Sequence, residues 1–398
     1  MNKAKRIAIS VLCGLLVMVI TWKYQNYDYT LALEDAFFKK VFLVRDKILK
    51  PTPQENARII FINTGKDLAL AEDSVEYGNV AISDREKIYR LLQFINSTRE
   101  QPAMTVVDIQ FYYPFTPAPE VDSAMQAEIS LNNKLAIPIL QGKQPLYKAR
   151  YGHSDYRTFG SNFNKFRILI QEEVKSIPLV MHELINGATY RDHALYPTCN
   201  GKLCLTALWP TYYLKDDEIR KTVSTENLQN IKNISEVHNA PPEYYNLGEL
   251  LYELEGNPTS KVLADKVVIV GNFQEDVHVT PVGKMAGPVL LANIYLSLLN
   301  GQHYVSPWLI LLLLCCFSAL SYVALFKKMP EVNISFKFLF SSYLSKFIRS
   351  YISYFGAMFI VSLIALLFFN VQVALFLPSV IFSGIEYIKE KKYLELKK

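Results

Sequence analysis

The chain has 398 residues, of which 51% are hydrophobic and 20% are charged, and its formal net charge is +5. This length allows two soluble domains or one domain with membrane segments. Long apolar segments near both ends favour the second arrangement. The basic residues lie beside those segments, so the positive charge follows membrane topology and does not indicate nucleic-acid binding.

The first apolar segment, residues 7–22, is uncharged and follows Lys3, Lys5 and Arg6. A cleaved signal peptide also has a basic start and a short apolar run, but no small-residue cleavage site follows here. The sequence therefore favours an uncleaved transmembrane helix at 7–22, with residues 1–6 in the cytoplasm.

The C-terminal third is more apolar. A helix crosses a bilayer in about 20 residues, and residues 352–388 are too long for one crossing at 1.5 Å per residue. Asn370 and Gln372 interrupt this run, so we split it there. The predicted segments are a span at 307–326, a cytoplasmic loop at 327–350, spans at 351–369 and 371–388, and a cytoplasmic tail at 389–398.

The loop and the tail are both rich in lysine, and basic segments remain on the cytoplasmic side. Four crossings place the N-terminus, the loop and the tail together on that side. We therefore expect a multi-pass protein of a bacterial inner (cytoplasmic) membrane. Residues 23–306 would form a periplasmic or extracellular domain, which is long enough to bury a core of its own.

Within this domain, continuous apolar runs predict buried strands at Arg58–Asn63, Met104–Phe111 and Leu135–Leu140, with helical patterns between them. A return strand at Val267–Val270 has the same character. Alternating strands and helices predict a mostly parallel sheet with flanking helices. The expected fold class is an α/β extracytoplasmic domain plus four transmembrane α-helices, one before the domain and three after it.

Three of the predicted strands end in polar residues. In open parallel sheets, ligands bind outside the carboxyl ends of the strands, so we predict a small-ligand or cation site there. The alternative is that Asp108 and Asp276 cap helices or tie loops to backbone amides. The candidate residues are Asn63, Asp108, Gln110, Asn272, Asp276, His278 and Thr280.

Signals for catalysis are weak. The sequence has no Gly-x4-Gly-Lys-Ser/Thr phosphate loop, no Gly-x-Ser-x-Gly nucleophile elbow and no Cys/His pair at zinc spacing. Asp276 and His278 make a weak metal signal. We therefore expect no enzyme activity, no cofactor and no metal, with an enzyme using Asp108, Asp276 and His278 as the less favoured alternative.

Two cysteines lie close together in the outside domain. Cys199 and Cys204 flank Asn200-Gly201, a dipeptide typical of a tight hairpin. A disulfide between them is expected in an oxidising compartment. The alternative is a pair of free thiols in a loop.

The cytoplasmic loop contains an amphipathic helical pattern. Its polar face carries Lys337, Lys346 and Arg349, which suits a helix lying in the lipid interface. The bilayer is thus one expected partner, and docking of a protein on this face is the alternative.

The chain resembles the type-two family of cyclase/histidine-kinase-associated sensory extracellular (CHASE) domains of bacterial receptors, from about Leu33 to Tyr304. The strongest match is the C-terminal block. The residues that carry the resemblance are the KVVIVGN strand, Asp276, Thr280-Pro281-Val282-Gly283, Gly287 and Ala292-Asn293, with weaker matches at Asp35, Arg45, Asp84-Arg85, Val107-Asp108-Ile109, Phe111 and Asp122.

The resemblance implies an extracytoplasmic sensor. Receptors of the family usually carry an output enzyme after the last span, whereas about ten residues follow it here. The family's usual acidic residue after the first strand is replaced by Asn63.

We therefore expect a non-catalytic membrane receptor or accessory subunit that senses a ligand or partner and relays the change to a separate protein in the membrane or cytoplasm. A homodimer through the spans is common for receptors, although no GxxxG motif argues for one. The alternative is a structural subunit of an envelope complex, with the outside domain as a docking platform.

Overall fold

The computed structural model describes residues 2–26, 32–49, 58–73, 78–112, 114–115, 118–139, 145–154, 156–159, 162–170, 174–193, 196–221, 242–257, 259, 261–330 and 342–395. The chain forms two compact units. The membrane-helix unit contains Met1–Ile48, His193–Leu205 and Tyr304–Lys398, and the sheet unit contains Leu49–Asp192 and Thr206–His303.

The helices are α1 (Lys3–Asn26), α2 (Ala32–Leu49), α3 (Arg85–Ser97), α4 (Pro119–Leu131), α5 (Ile177–Asn186), α6 (Asp216–Lys221), α7 (Leu247–Gly256), α8 (Gly287–Leu299), α9 (Pro307–Phe326), α10 (Ser342–Phe369) and α11 (Phe376–Glu395). The strands are β1 (Ile59–Asn63), β2 (Leu68–Asp73), β3 (Gly78–Ser83), β4 (Met104–Asp108), β5 (Leu135–Pro138), β6 (Arg150–Gly152), β7 (Tyr156–Phe159), β8 (Asn162–Arg167), β9 (Leu169–Ile170), β10 (Val174–Lys175), β11 (Tyr190–Asp192), β12 (Pro197–Cys199), β13 (Lys202–Leu203), β14 (Ala207–Leu208), β15 (Glu243–Asn246), β16 (Val267–Gly271), β17 (Val277–Thr280) and β18 (Gly283–Ala286).

The core of the sheet unit is a six-stranded parallel sheet in the order β15-β1-β16-β4-β5-β6. The return strand β16 lies between β1 and β4, so the predicted parallel α/β arrangement is confirmed. The central strands are continuous apolar runs because both faces of the sheet are covered, as is usual for parallel sheets.

Helices cover the two faces of this sheet. On one face, α3, α4 and α7 pack together over a core that includes Ile60, Val107 and Val268. On the other face, α8 packs on β16 and β1, and α5 packs on β4, β5 and β6. Burying a large aliphatic side chain contributes about 1.5–3 kcal/mol, and α3 alone buries Ile88, Leu91, Leu92 and Ile95 completely.

A second, smaller sheet joins three strands from the segment between β6 and β15 to two strands that follow β16. Its order is β14-β8-β17-β18, with β7 paired to β8. The turn between β17 and β18 consists of Pro281-Val282, and β18 begins at Gly283. The φ of Gly283 is 125°, which glycine adopts without strain and other residues do not. This hairpin joins the carboxyl end of β16 to the start of α8.

In the membrane-helix unit, α1, α9 and α10 are the helices among the described residues that are long and apolar enough to cross a membrane. The predicted fourth span, 371–388, is not among them. Residues 371–374 are not helical, and α11 begins at Phe376 and becomes charged from Glu386 onwards. The structure therefore supports three spans, and the four-crossing topology stays a prediction.

These helices pack closely. A Cβ atom at Gly14 of α1 would lie 2.6 Å from the backbone nitrogen of Ser318 on α9, so glycine permits the contact. The predicted turn near Asn370 is present, with a φ of 57° at that residue. The buried Glu34 carboxylate of α2 accepts the backbone N–H of Phe376 at 2.9 Å, which satisfies a donor at the start of α11.

Candidate functional site

The carboxyl ends of β1, β16 and β4 lie side by side. In the strand register, Asn63 pairs with Gly271, and Gly271 pairs with Asp108. The structure therefore places Asn63 and Asp108 at one edge of the sheet, and a ligand site there stays a prediction.

Asn63 ties loops together at this edge. It is fully buried, and its Oδ1 accepts the backbone N–H groups of Gly65 at 2.9 Å and Phe273 at 3.2 Å. Its Nδ2 donates to the Asn246 side chain at 3.1 Å. Because these bonds occupy both ends of the amide, the Asn63 side chain is engaged in holding the fold.

Asn272 and Thr280 shape turns. The Oδ1 of Asn272 accepts the N–H groups of Gln274 and Glu275, both at 3.0 Å. The Thr280 hydroxyl donates to the Gly283 carbonyl at 2.7 Å across the β17–β18 turn. Both side chains are therefore engaged in holding the backbone of a turn.

Gln110 is exposed two residues beyond β4. Its side chain makes no hydrogen bond with the part of the chain that the structure describes. It is close to the edge in sequence but has no contact that fixes it in the cluster.

Asp108, Asp276 and His278 form the charged part of the site. The His278 Nε2 lies 2.9 Å from Asp276 Oδ1. Burial and then the charge of Asp276 raise the pKa of Asp108 well above its usual range. The Asp276 carboxylate thus contacts the His278 imidazole, and its charge is near enough to act on Asp108.

Two glycines let the first turn of α8 lie close to the end of β16 and to the Asp276 carboxylate. A Cβ atom at Gly287 would lie 1.7 Å from Asp276 Oδ2, and one at Gly271 would lie 2.5 Å from Pro288 Cγ. The Gly287 N–H donates to the Asp276 carbonyl at 2.7 Å. The Asp276 carboxylate therefore lies at the start of a helix, where partial positive charge favours an anion.

A buried polar stripe on α8 binds the strap, residues 209–214. Asn293 is fully buried. Its Oδ1 accepts the Leu214 N–H at 2.8 Å, and its Nδ2 donates to the Leu214 carbonyl at 3.0 Å. Ser297 Oγ accepts the Thr211 N–H at 3.0 Å. Of these residues, the sequence analysis named only Asn293. The strap and its partners on α8 are about eighty residues apart in the chain, so no local sequence pattern predicts their contact.

Arg85 and Asp122, which carry part of the family resemblance, form a buried brace with each other. Arg85 Nη1 donates to Asp122 Oδ1 at 2.7 Å, and its guanidinium lies 5.4 Å from the centre of the Phe111 ring. The brace joins the start of α3 to α4 and to the segment after β4. These motif residues stabilise the fold.

The predicted disulfide is not shown in this structure, where Cys199 and Cys204 are buried and are not joined to each other. In the β12–β13 pair, Cys199 lies opposite Lys202, and the Cys204 N–H donates to the Pro197 carbonyl. The two cysteines are therefore diagonal neighbours. Diagonal positions are about 7–8 Å apart, whereas a disulfide needs Cβ atoms about 3.5–4.5 Å apart.

The residues predicted for a cytoplasmic interface lie at the start of α10. Lys346 is exposed and Arg349 is partly buried, while Lys337 falls outside the described residues. The helical pattern is confirmed from Ser342 onwards. The role of this face in binding stays a prediction.

Comparison with known proteins identifies a family. A family model described as the CHASE2 domain matches residues 11–323. No curated protein and no solved structure matches the chain. The match covers most of the chain, including the sheet edge, the glycines of the α8 junction and two of the apolar helices. The chain therefore belongs to the CHASE2 domain family, whose members are extracellular sensory domains.

Proposed function

We propose that this protein is a non-catalytic membrane receptor whose outside domain senses a ligand or partner and relays the change to a separate protein. The observation that carries the proposal is the continuity of the chain from the sheet edge to the membrane. The loop after β16 is hydrogen-bonded to Gly287 at the start of α8. Residues 300–306 then lead directly from α8 into α9.

The tight packing of α8 supports a relay through this helix. Every residue from Gly287 to Leu298 is buried, and the strap is bonded to Asn293 and Ser297. A helix held on all sides moves as a unit. A change in the loop that holds Asp276 would therefore be carried along α8, which is what coupling between a site and a distant readout requires.

The proposed topology has four crossings, with both termini in the cytoplasm of a bacterial cell. Glu386 of α11 supports it, because its carboxylate accepts the Met329 N–H at 3.2 Å and the Ser350 hydroxyl at 3.0 Å. The middle of α11 thus lies beside the segment after α9 and the first part of α10, as expected if α11 runs antiparallel to α10. A reporter fused after Lys392 should be cytoplasmic, and a periplasmic reporter would refute the fourth crossing.

The relay is tested by isolating the full-length protein from its host in mild detergent and identifying what accompanies it. We expect a cytoplasmic regulator whose recovery falls with Lys346→Glu, because this exposed cation lies on the proposed interface. Lys148→Glu, at an exposed position of the sheet unit, is the matched control. A stoichiometric set of envelope proteins that is indifferent to Lys346 would instead favour the docking-platform alternative.

A further inference from the structure

The proposed relay needs one further step between two helices of the membrane-helix unit. The chain leads from α8 into α9, whereas the exposed cation Lys346 lies near the start of α10. The helix α10 is continuous from Ser342 to Phe369, and the turn at residues 370–375 joins it to α11. A change that ends at Lys346 therefore requires a contact between a segment outside the membrane and this α10–α11 hairpin.

The helix α2, which is the last helix before β1 in the chain, makes such a contact. One stripe of α2 is buried at the spacing of successive helical turns, and its members, each at most 5% exposed, are Glu34, Phe38, Phe42 and Arg45. The Phe38 ring packs against the Phe359 ring of α10, with their centres 6.2 Å apart. The stripe thus lies against the α10–α11 hairpin.

Glu34 holds the start of α11. Its carboxylate, which is 1% exposed, accepts the Leu375 N–H at 3.1 Å and the Phe376 N–H at 2.9 Å. N–H groups at the start of a helix have no intrahelical acceptor, and the partial positive charge there favours a carboxylate. Because one carboxylate accepts both N–H groups, a displacement of α2 either moves the start of α11 or breaks both bonds.

Arg45, near the other end of α2, holds the turn. Its guanidinium donates to Asn370 Oδ1 and lies 4.3 Å from the centre of the Phe42 ring. Asn370 has a φ of 57°, a conformation that asparagine adopts more readily than most residues. Four crossings place both α2 and this turn on the outer side of the membrane, so the contact agrees with the proposed topology.

The α10–α11 hairpin is also bonded at its opposite end. Glu386 of α11 accepts the Ser350 hydroxyl of α10 at 3.0 Å and the Met329 N–H at 3.2 Å. Ser350 lies one helical turn after Lys346 in α10. Since the two helices are joined at both ends, a displacement at the 370–375 turn reaches the first turns of α10.

We propose that α2 is the element through which the outside domain moves the α10–α11 hairpin, with Glu34 and Arg45 as its positioning residues. The inference rests on the proposed receptor function and deepens it, because it identifies α10 as the helix that carries the change to Lys346. A displacement of α2 moves the turn and the start of α11. The hairpin follows, and the first turns of α10 change position at the cytoplasmic surface.

Hydrogen exchange of the full-length protein in lipid nanodiscs measures both ends of the hairpin. Glu34→Ala removes the acceptor of two N–H groups, so amides of residues 373–376 should exchange several-fold faster. The hairpin is then released from α2, so amides of residues 327–330 should also exchange several-fold faster, because the Met329 N–H is bonded to α11. Glu34→Gln keeps a neutral oxygen acceptor and should give a smaller change at both ends.

Two controls distinguish a relay from a general loss of stability. Lys40→Gln changes an exposed charge on α2 and should leave exchange at both ends unchanged. Amides of residues 5–8, at the start of α1 in the same unit, should keep their wild-type rates in Glu34→Ala. Coupling between two sites is reciprocal, so Glu386→Gln should in turn speed exchange at residues 373–376.

The proposal is overturned if Glu34→Ala speeds exchange at 373–376 alone, since Glu34 would then be a local helix cap. It is equally overturned if residues 5–8 accelerate as much as 327–330, or if Glu386→Gln leaves 373–376 unchanged. None of these results affects the co-isolation experiment at Lys346. Partner recovery that is indifferent to Lys346→Glu, together with coupled exchange at the two ends, would refute the relay and leave the coupling of α2 to the hairpin standing.

Discussion

The brace between Arg85 and Asp122 gives the most demanding test of the fold. Arg85 is 2% exposed and donates to Asp122 Oδ1 at 2.7 Å. The other oxygen of Asp122 accepts the Phe115 N–H at 2.7 Å, and the Tyr147 hydroxyl also donates to Asp122. Arg85→Met keeps a long side chain among the surrounding aromatic rings but removes the cation.

The expected loss follows from what remains around Asp122. Removing one partner of a buried ion pair costs about 3–5 kcal/mol. Because the Asp122 side chain keeps 17% exposure and two other hydrogen bonds, we expect the lower end, about 3 kcal/mol. In a domain of this size each kcal/mol shifts the melting temperature by about 2–4 °C, so the decrease should be roughly 6–12 °C.

The loss should also depend on pH. Burial alone would raise the pKa of Asp122, but hydrogen bonds from Phe115, Tyr147 and Arg85, together with the charge of Arg85, lower it below its usual value. A lowered pKa gives stability that is present above the unfolded-state value and is lost as the pH falls through the folded-state value. The difference between wild type and Arg85→Met should therefore be largest near neutral pH and shrink in acid.

Thermal unfolding of the nanodisc-embedded protein at about pH 7 and at about pH 3, below the usual carboxyl pKa, measures both effects. Arg90→Met is the matched control, because Arg90 lies on the same helix in an exposed pair with Glu255, and such pairs contribute at most about 1 kcal/mol. Equal losses in the two variants, or a loss at Arg85 that is independent of pH, would refute the brace.

Three further outcomes are expected. Asn293→Ala leaves the N–H and carbonyl of Leu214 without partners, so it should cost about 2–4 kcal/mol and speed hydrogen exchange in the strap. Gly14→Leu should lower the yield of folded protein in detergent, because α1 can no longer approach α9, whereas Leu12→Ala, at an exposed position, should not. Both thiols of the 199–204 hairpin should react with an alkylating reagent after denaturation without reductant. Failure of both thiols to react would show that they are joined in a disulfide.

The sheet was predictable where burial is complete and unpredictable at its margins. The strands β1, β4 and β16 are apolar throughout, so their runs stand out in the sequence. The edge strands β15 and β6 have polar or partly exposed residues and no such run. Their positions depend on partners far away in the chain, which no local pattern encodes.

The predicted span 371–388 is not helical over its whole length, for a related reason. Hydropathy alone treats 371–388 as one apolar run, but the turn at Asn370 leaves residues 371–374 outside any helix. Their polar groups find specific partners instead, as when the Val373 N–H donates to the Ser362 hydroxyl at 3.0 Å. Hydrogen bonding of this kind depends on side chains of α10 and α2 and cannot be read from an average over residues.

At the candidate site, the sequence predicted that the strand ends lie side by side but not what each side chain does. Parallel strands bring their carboxyl ends together whatever the side chains are, so convergence followed from topology. Whether an amide or carboxyl is used by the fold depends on which backbone N–H groups point at it. Asn63 meets two of them, while Asp108, one strand beyond Gly271, meets none among the described residues.

The same contrast distinguishes the acidic residues of the CHASE2 resemblance whose side chains hold the fold from the one whose side chain does not. Asp84 accepts two N–H groups at the start of α3, Asp122 is held in the brace, and Asp276 is paired with His278. Within the described residues, Asp108 alone of these four has no hydrogen bond. Contacts that hold the fold therefore account for three of these four acidic residues, and Asp108 is the one for which they do not.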